Sequence, residues 1–140
     1  MQRVIILVGL ICFGYFATAQ QKLPKINPKD TTVYSAVDQQ PQFGIDENAF
    51  NKYIVKNLNF QPDTTEELQW RVIASFIVEK DGSVSHIKVL RPKNTRFEKA
   101  FVDMLKAAPK WQQPAIHEGY YVRCEYSVPI HFHWASKYDD

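Results

Sequence analysis

The clearest pattern in the chain is a pair of apolar runs that meet at one turn. Trp70 to Lys80 and Ser83 to Arg91 read WRVIASFIVEK and SVSHIKVLR, rich in Val and Ile on either side of Asp81-Gly82. That dipeptide suits the positive φ angles of a two-residue type I′ turn, so the stretch predicts a β-hairpin. The first run carries Val72, Ala74, Phe76 and Val78 on one face and Ile73 and Ile77 on the other. A strand that is apolar on both sides belongs in the middle of a sheet. In the second run Ile87 and Val89 are opposed by His86 and Lys88. This predicts a half-buried edge strand.

The sharpest alternation lies in the last run, Tyr121 to Trp134. Val122, Cys124, Tyr126, Val128, Ile130, Phe132 and Trp134 share one face, while Arg123, Glu125, Ser127, His131 and His133 share the other. Pro129 removes a ladder donor within it, which marks this third strand as an edge. Two stretches have helical spacing instead. Asp46 is an N-cap for a helix carrying Ala49, Phe50, Tyr53, Ile54 and Leu58, which ends before the extended Phe60-Gln61-Pro62. After a turn at Pro92 to Thr95, a second helix from Arg96 to Ala108 aligns Phe97, Phe101, Leu105 and Ala108, with Ala100 and Met104 beside them, and Pro109 stops it.

The order is helix, strand, strand, helix, strand. With the doubly apolar strand in the centre, this predicts an α+β fold: a two-layer sandwich of a three-stranded antiparallel sheet, order 2-1-3, and two helices on one face. Both sheet edges stay open. Residues 46–134 form the domain. Residues 20–45 are a polar, proline-containing linker followed by an extended arm from Val33 to Phe43, Ile116 to Tyr120 closes a loop through Gly119, and residues 135–140 are a polar tail.

Residues 1–19 stand apart from the fold. Arg3, the apolar run Val4 to Phe16 and Ala17-Thr18-Ala19 have the three parts of a cleavable signal peptide, predicting export to the periplasm with Gln20 as the first mature residue. An uncleaved inner-membrane anchor is the alternative, although a span needs about 20 apolar residues. Lipid attachment at Cys12 is disfavoured by Ile11 before it. Leaving out Arg3 lowers the formal net charge of +2 by one. Lys22, Lys25 and Lys29 are spread among Pro and Asn, so no basic patch points to nucleic acid. Cys124 is then the sole cysteine of the exported chain and reads as a buried structural thiol rather than a nucleophile.

The run Arg71 to Lys80, Asp81-Gly82-Ser83-Val84, Ile87-Lys88-Val89-Leu90, Phe97 to Leu105, Pro109-Lys110-Trp111 and Val128-Pro129-Ile130-His131-Phe132 resembles the TonB C-terminal domain family. Val33-Tyr34, Pro41-Gln42-Phe43 and the helix Ala49 to Leu58 are similar to its variant in Bacteroidetes-type bacteria, so the likeness spans Val33 to Phe132. The resemblance implies a periplasmic domain, without catalysis or cofactor, that binds the extended TonB box of an outer-membrane transporter, or another envelope protein, as an added strand. It places that strand beside Tyr121 to Phe132. Tyr121, Arg123, Glu125 and Ser127 are its candidate contacts there, with Phe60, Gln61 and Pro62 as further receptor contacts. The family's aromatic-Pro dipeptide is split here by Gln61, and Trp70 replaces a small residue before the hairpin. The short linker favours a detached domain that modulates transport over a direct transducer of force.

Two other readings come from different classes. His131 and His133 form an H-x-H pair able to ligate zinc or copper, which would suit a metal-binding or hydrolytic periplasmic protein. Glu125, Ser127 and His131 supply triad-type groups, but positions alternating along one strand stand about 7 Å apart and do not converge on a substrate. A homodimer formed through an open edge is the third reading. Trp111 is assigned to the core beneath the second helix.

Overall fold

A computed structural model describes residues 22–61, 68–91 and 95–134. The signal segment predicted at 1–19, Pro62 and the predicted tail at 135–140 lie outside them. Six strands and two helices follow in the order β1 (Lys25–Ile26), β2 (Val33–Tyr34), α1 (Ala49–Asn57), β3 (Leu68–Val78), β4 (Val84–Arg91), α2 (Thr95–Lys106), β5 (Ala115–His117) and β6 (Tyr120–Trp134).

The doubly apolar run becomes the centre of the sheet. β3 pairs antiparallel with β4 on one side and with β6 on the other, so the three long strands stand in the order predicted. The expected three-stranded, purely antiparallel sheet is nevertheless corrected to a mixed one of six strands. β1 and β2 add parallel to β6, and β5 adds to it antiparallel. Two- and three-residue pairings are too short to show alternation, so neither the linker nor the loop before the last strand carries a strand period.

The hairpin turn also differs from the expected type I′. Gly82 N–H donates to Glu79 O at 2.9 Å, Glu79 N–H to Ser83 O at 2.8 Å, and only Gly82 has a positive φ, +84°. This is a three-residue loop with glycine in the left-handed position. It packs against Trp111, whose N–H donates to Gly82 O at 2.8 Å.

Both helices cover one face of the sheet. Val72, Ala74, Phe76 and Val78 meet Phe50 and Ile54 of α1 and Phe97, Phe101, Met104 and Leu105 of α2 in one buried cluster with Trp111 and Val128. Among the described residues, no helix lies over the opposite face of β3, where Ile73 and Ile77 are half-buried. Tyr53 Oη donates to Met104 O at 3.1 Å and ties the helices together. The N-cap of α1 is Asn48, not Asp46. Asp46 works from two positions before it, accepting the Asn48 N–H on its carboxylate at 2.8 Å and the Ala49 N–H on its carbonyl at 3.1 Å. Cys124 is buried as expected, beside Val122 and Ala115, and burial pushes its thiol pKa up.

Candidate functional site

β6 is the longest strand, and its two ends have different neighbours. From Tyr120 to Cys124 the chain covers it with its own short strands: β1 and β5 flank Tyr120 and Tyr121, β5 reaches Val122, and β2 pairs with Arg123 and Cys124. Cys124 pairs with Val78 of β3 as well as Tyr34 of β2, so β2 lies on the side away from β3. Beyond Cys124 that side is open. Among the described residues, only β3 pairs with β6 from Glu125 to Trp134. An open run of this length, ~33 Å at ~3.3 Å per residue, presents backbone N–H and C=O groups to a partner.

The other sheet edge, β4, is built differently. Its register against β3 shifts twice, between Ile73 and Ala74 and between Ser75 and Ile77, where β4 carries an extra residue each time. At the second shift His86 adopts φ +50°. Bulges with exposed Lys88 and Arg91 twist and charge an edge, which blunts it as a template. β6 pairs with β3 over eleven successive positions without a shift. Pro129 sits within that regular length opposite Ile73, as suits an edge strand.

These neighbours divide the predicted contact residues. Glu125 and Ser127 are exposed on the open length. Tyr121 lies where β6 is flanked on both sides, and Arg123 is engaged by its own chain. Its guanidinium forks onto Glu79 at 2.8 and 3.0 Å and also donates to Thr31 O at 2.9 Å. The hydrogen bonds from Arg123 hold the Glu79 carboxyl below its usual range, with Ser85 adding to the effect against the opposing influence of burial. Lys80 Nζ donates to the carbonyls of Asn27 and Asp30, so the segment before β2 is tied down by Lys80 of the hairpin loop and Arg123 of β6. The open edge, expected from Tyr121 onward, therefore starts at Glu125 among the described residues.

Phe60 and Gln61 lie elsewhere. They line an open cleft of about 700 Å³ between the end of α1 and α2, shared with Arg96, Lys99 and Asp103. Phe60 packs edge-on against Phe97, ring centroids 5.1 Å apart, and Gln61 is exposed. His131 and His133 are exposed opposite Arg71 and Gln69. Among the described residues no group of three or more His, Cys, Asp or Glu is placed to hold a metal ion.

A second cleft, about 570 Å³, opens beside the start of the free edge and was not anticipated from the sequence. Gln40 to Phe43, Asp46, Glu47, Phe50, Trp111 and Glu125 to Ser127 line it. Glu125 and Ser127 face one side of the sheet and Tyr126 the other, so a cleft touching all three reaches the strand edge itself. Its floor is aromatic: Trp111 lies 4.9 Å from Tyr126, 5.1 Å from Phe50 and 5.5 Å from Phe43 between ring centroids. Burial raises the Tyr126 hydroxyl pKa. The arm holds its place through paired bonds between Gln42 and Gln113 at 2.8 and 3.0 Å. Each aromatic is visible in the sequence, but no local spacing brings positions 43, 50, 111 and 126 together.

A family model described as the Gram-negative bacterial TonB protein C-terminal matches residues 64–134, half of the chain. The chain belongs to that family. Searches of curated proteins and of solved structures return no significant match. The TonB C-terminal match covers β3 through β6 and both flanks of α2, and so includes the open edge. Membership makes this a domain of TonB-type cell-envelope interactions. No helix among the described residues is long and apolar enough to cross a membrane.

Proposed function

We propose that this TonB C-terminal domain binds an extended segment of an outer-membrane transporter by strand addition along Glu125 to Trp134, acting in or modulating TonB-dependent transport without catalysis. The observation that carries the reading is the regular, half-paired length of β6, in contrast to the bulged and charged β4 on the far side of β3. A segment joining a preformed ladder satisfies its backbone groups without building a sheet of its own, and alternate side chains then find surfaces on either face. The core under the helices packs against Tyr126, Val128, Ile130 and Phe132 of β6 and leaves its outer edge available. Family membership supports an envelope partner of this kind, and the leader predicted at 1–19 supports a periplasmic location.

The test is amide exchange on the labelled protein with a synthetic TonB-box peptide. Added protection at alternate amides from Glu125 to Phe132 is the expected result. Protection along β4 instead, or none at saturating peptide, would overturn the reading.

A further inference from the structure

The cleft at the start of the free edge has a charge as well as a shape. Asp46, Glu47 and Glu125 stand on its rim, and no Lys or Arg lines it. Lys52 reaches Asp46 at 3.1 Å from outside, and that hydrogen bond keeps the Asp46 carboxyl ionised to lower pH. Among the described residues neither Glu47 nor Glu125 has a cationic partner. Glu47 therefore stands uncompensated on the helix side of the cleft, and Glu125 stands at the strand edge with its side chain on the opposite face of the sheet.

We infer that the cleft is a specificity pocket for a basic side chain, arginine above lysine, carried near one end of the strand that β6 receives. The inference rests on the strand-addition reading and deepens it. Successive residues of an added strand point to opposite faces. Beside Tyr126, a residue directed to the helix layer enters between the open edge and the first turn of α1, over Phe43, Phe50 and Trp111. A guanidinium there packs on the half-buried rings of Phe43 and Tyr126 and meets Glu47, and Glu125 contributes its charge from the other face of the same edge. An acidic residue at that position meets like charge and loses the ring contact. The pocket thereby sets the register of the added strand, which identical backbone hydrogen bonds cannot do.

The experiment uses the full chain and labelled Ser/Thr peptides of about ten residues, the length of the open edge. A single Arg is placed at each position in turn, with matched Gln and Glu series, and affinity is read by fluorescence anisotropy. One Arg position is expected to bind about tenfold tighter than its Gln counterpart, with Glu weaker than both. The Arg-to-Gln ratio falls to within about twofold in Glu47→Gln/Glu125→Gln, and stays at its wild-type value in Glu98→Gln on α2, remote from the cleft. Peptides that bind and protect β6 equally well with Arg, Gln or Glu overturn the pocket and leave strand addition standing. A ratio unchanged in the double variant also overturns it. Failure of every peptide to bind overturns strand addition and the pocket together.

Discussion

Single residues decide how the turn and the arm are held. A Cβ added at Gly82 would stand 2.4 Å from the carbonyl oxygen of Trp111, at a backbone φ of +84°. Gly82→Ala is therefore expected to lower stability by about 1–3 kcal/mol, read as a fall in the urea midpoint. Asp81, in the same turn, is pulled from 3.8 to about 2 by hydrogen bonds from the Ser83 hydroxyl and N–H, with Lys110 adding to them. Glu79 is held below 4.5 chiefly by Arg123. Both folded-state values are depressed, so their stabilisation is complete above the unfolded values and is lost as pH falls through the folded ones. The urea midpoint should decline from about pH 4.5 downward. Glu79→Gln should flatten the upper part of that decline, and Asp81→Asn the lower part. At this scale the sequence was legible where burial alone mattered, as with Cys124 and Trp111. It gave no sign of the bonds Arg123 makes within the chain, because its partners Glu79 and Thr31 are distant in sequence and a guanidinium on a polar strand face looks free for a partner.

At the scale of elements, alternation located the three long strands and helical spacing located both helices to within a few residues. Capping was less legible: Asp46 has the composition of a cap, yet the chain turns once more before α1, and Asn48 takes the position without a side-chain bond. The bulges of β4 were hidden as well, since one inserted residue leaves the overall apolar content intact while shifting the faces. His86, at φ +50°, makes that bulge testable. His86→Val should cost about 1–2 kcal/mol, because a β-branched side chain resists the left-handed region, whereas His86→Gly should be tolerated. Loss of the peptide's preference for β6 in His86→Val is not expected, since the two edges lie on opposite sides of β3.

At the scale of the whole molecule, residues of both helices, the sheet and the arm share one core cluster with Phe76. That ring is 1% exposed and meets Phe50, Trp111 and Tyr126 at centroid distances of 5.7, 5.8 and 5.5 Å. Phe76→Ala should destabilise by about 3–5 kcal/mol, measured by denaturant unfolding. Occupation of the free edge should act in the opposite sense. A transporter segment at about one hundred times its Kd adds about 2.7 kcal/mol to unfolding free energy if it binds only the folded chain. A peptide that leaves the unfolding transition unmoved at that concentration would not be adding to this sheet.

The hairpin, both helices, the central place of β3 and the edge character of β6 around Pro129 are properties of the sequence itself, because each follows from a local period or a proline. Which length of β6 stays open was settled only in three dimensions. The arm and β5 carry no period of their own, and they reach Tyr120 to Cys124 by backbone pairing that any side chains would permit. The aromatic cleft belongs to the tertiary structure for the same reason: three separate stretches of the chain supply its walls, and contact across such distances leaves no trace in local order.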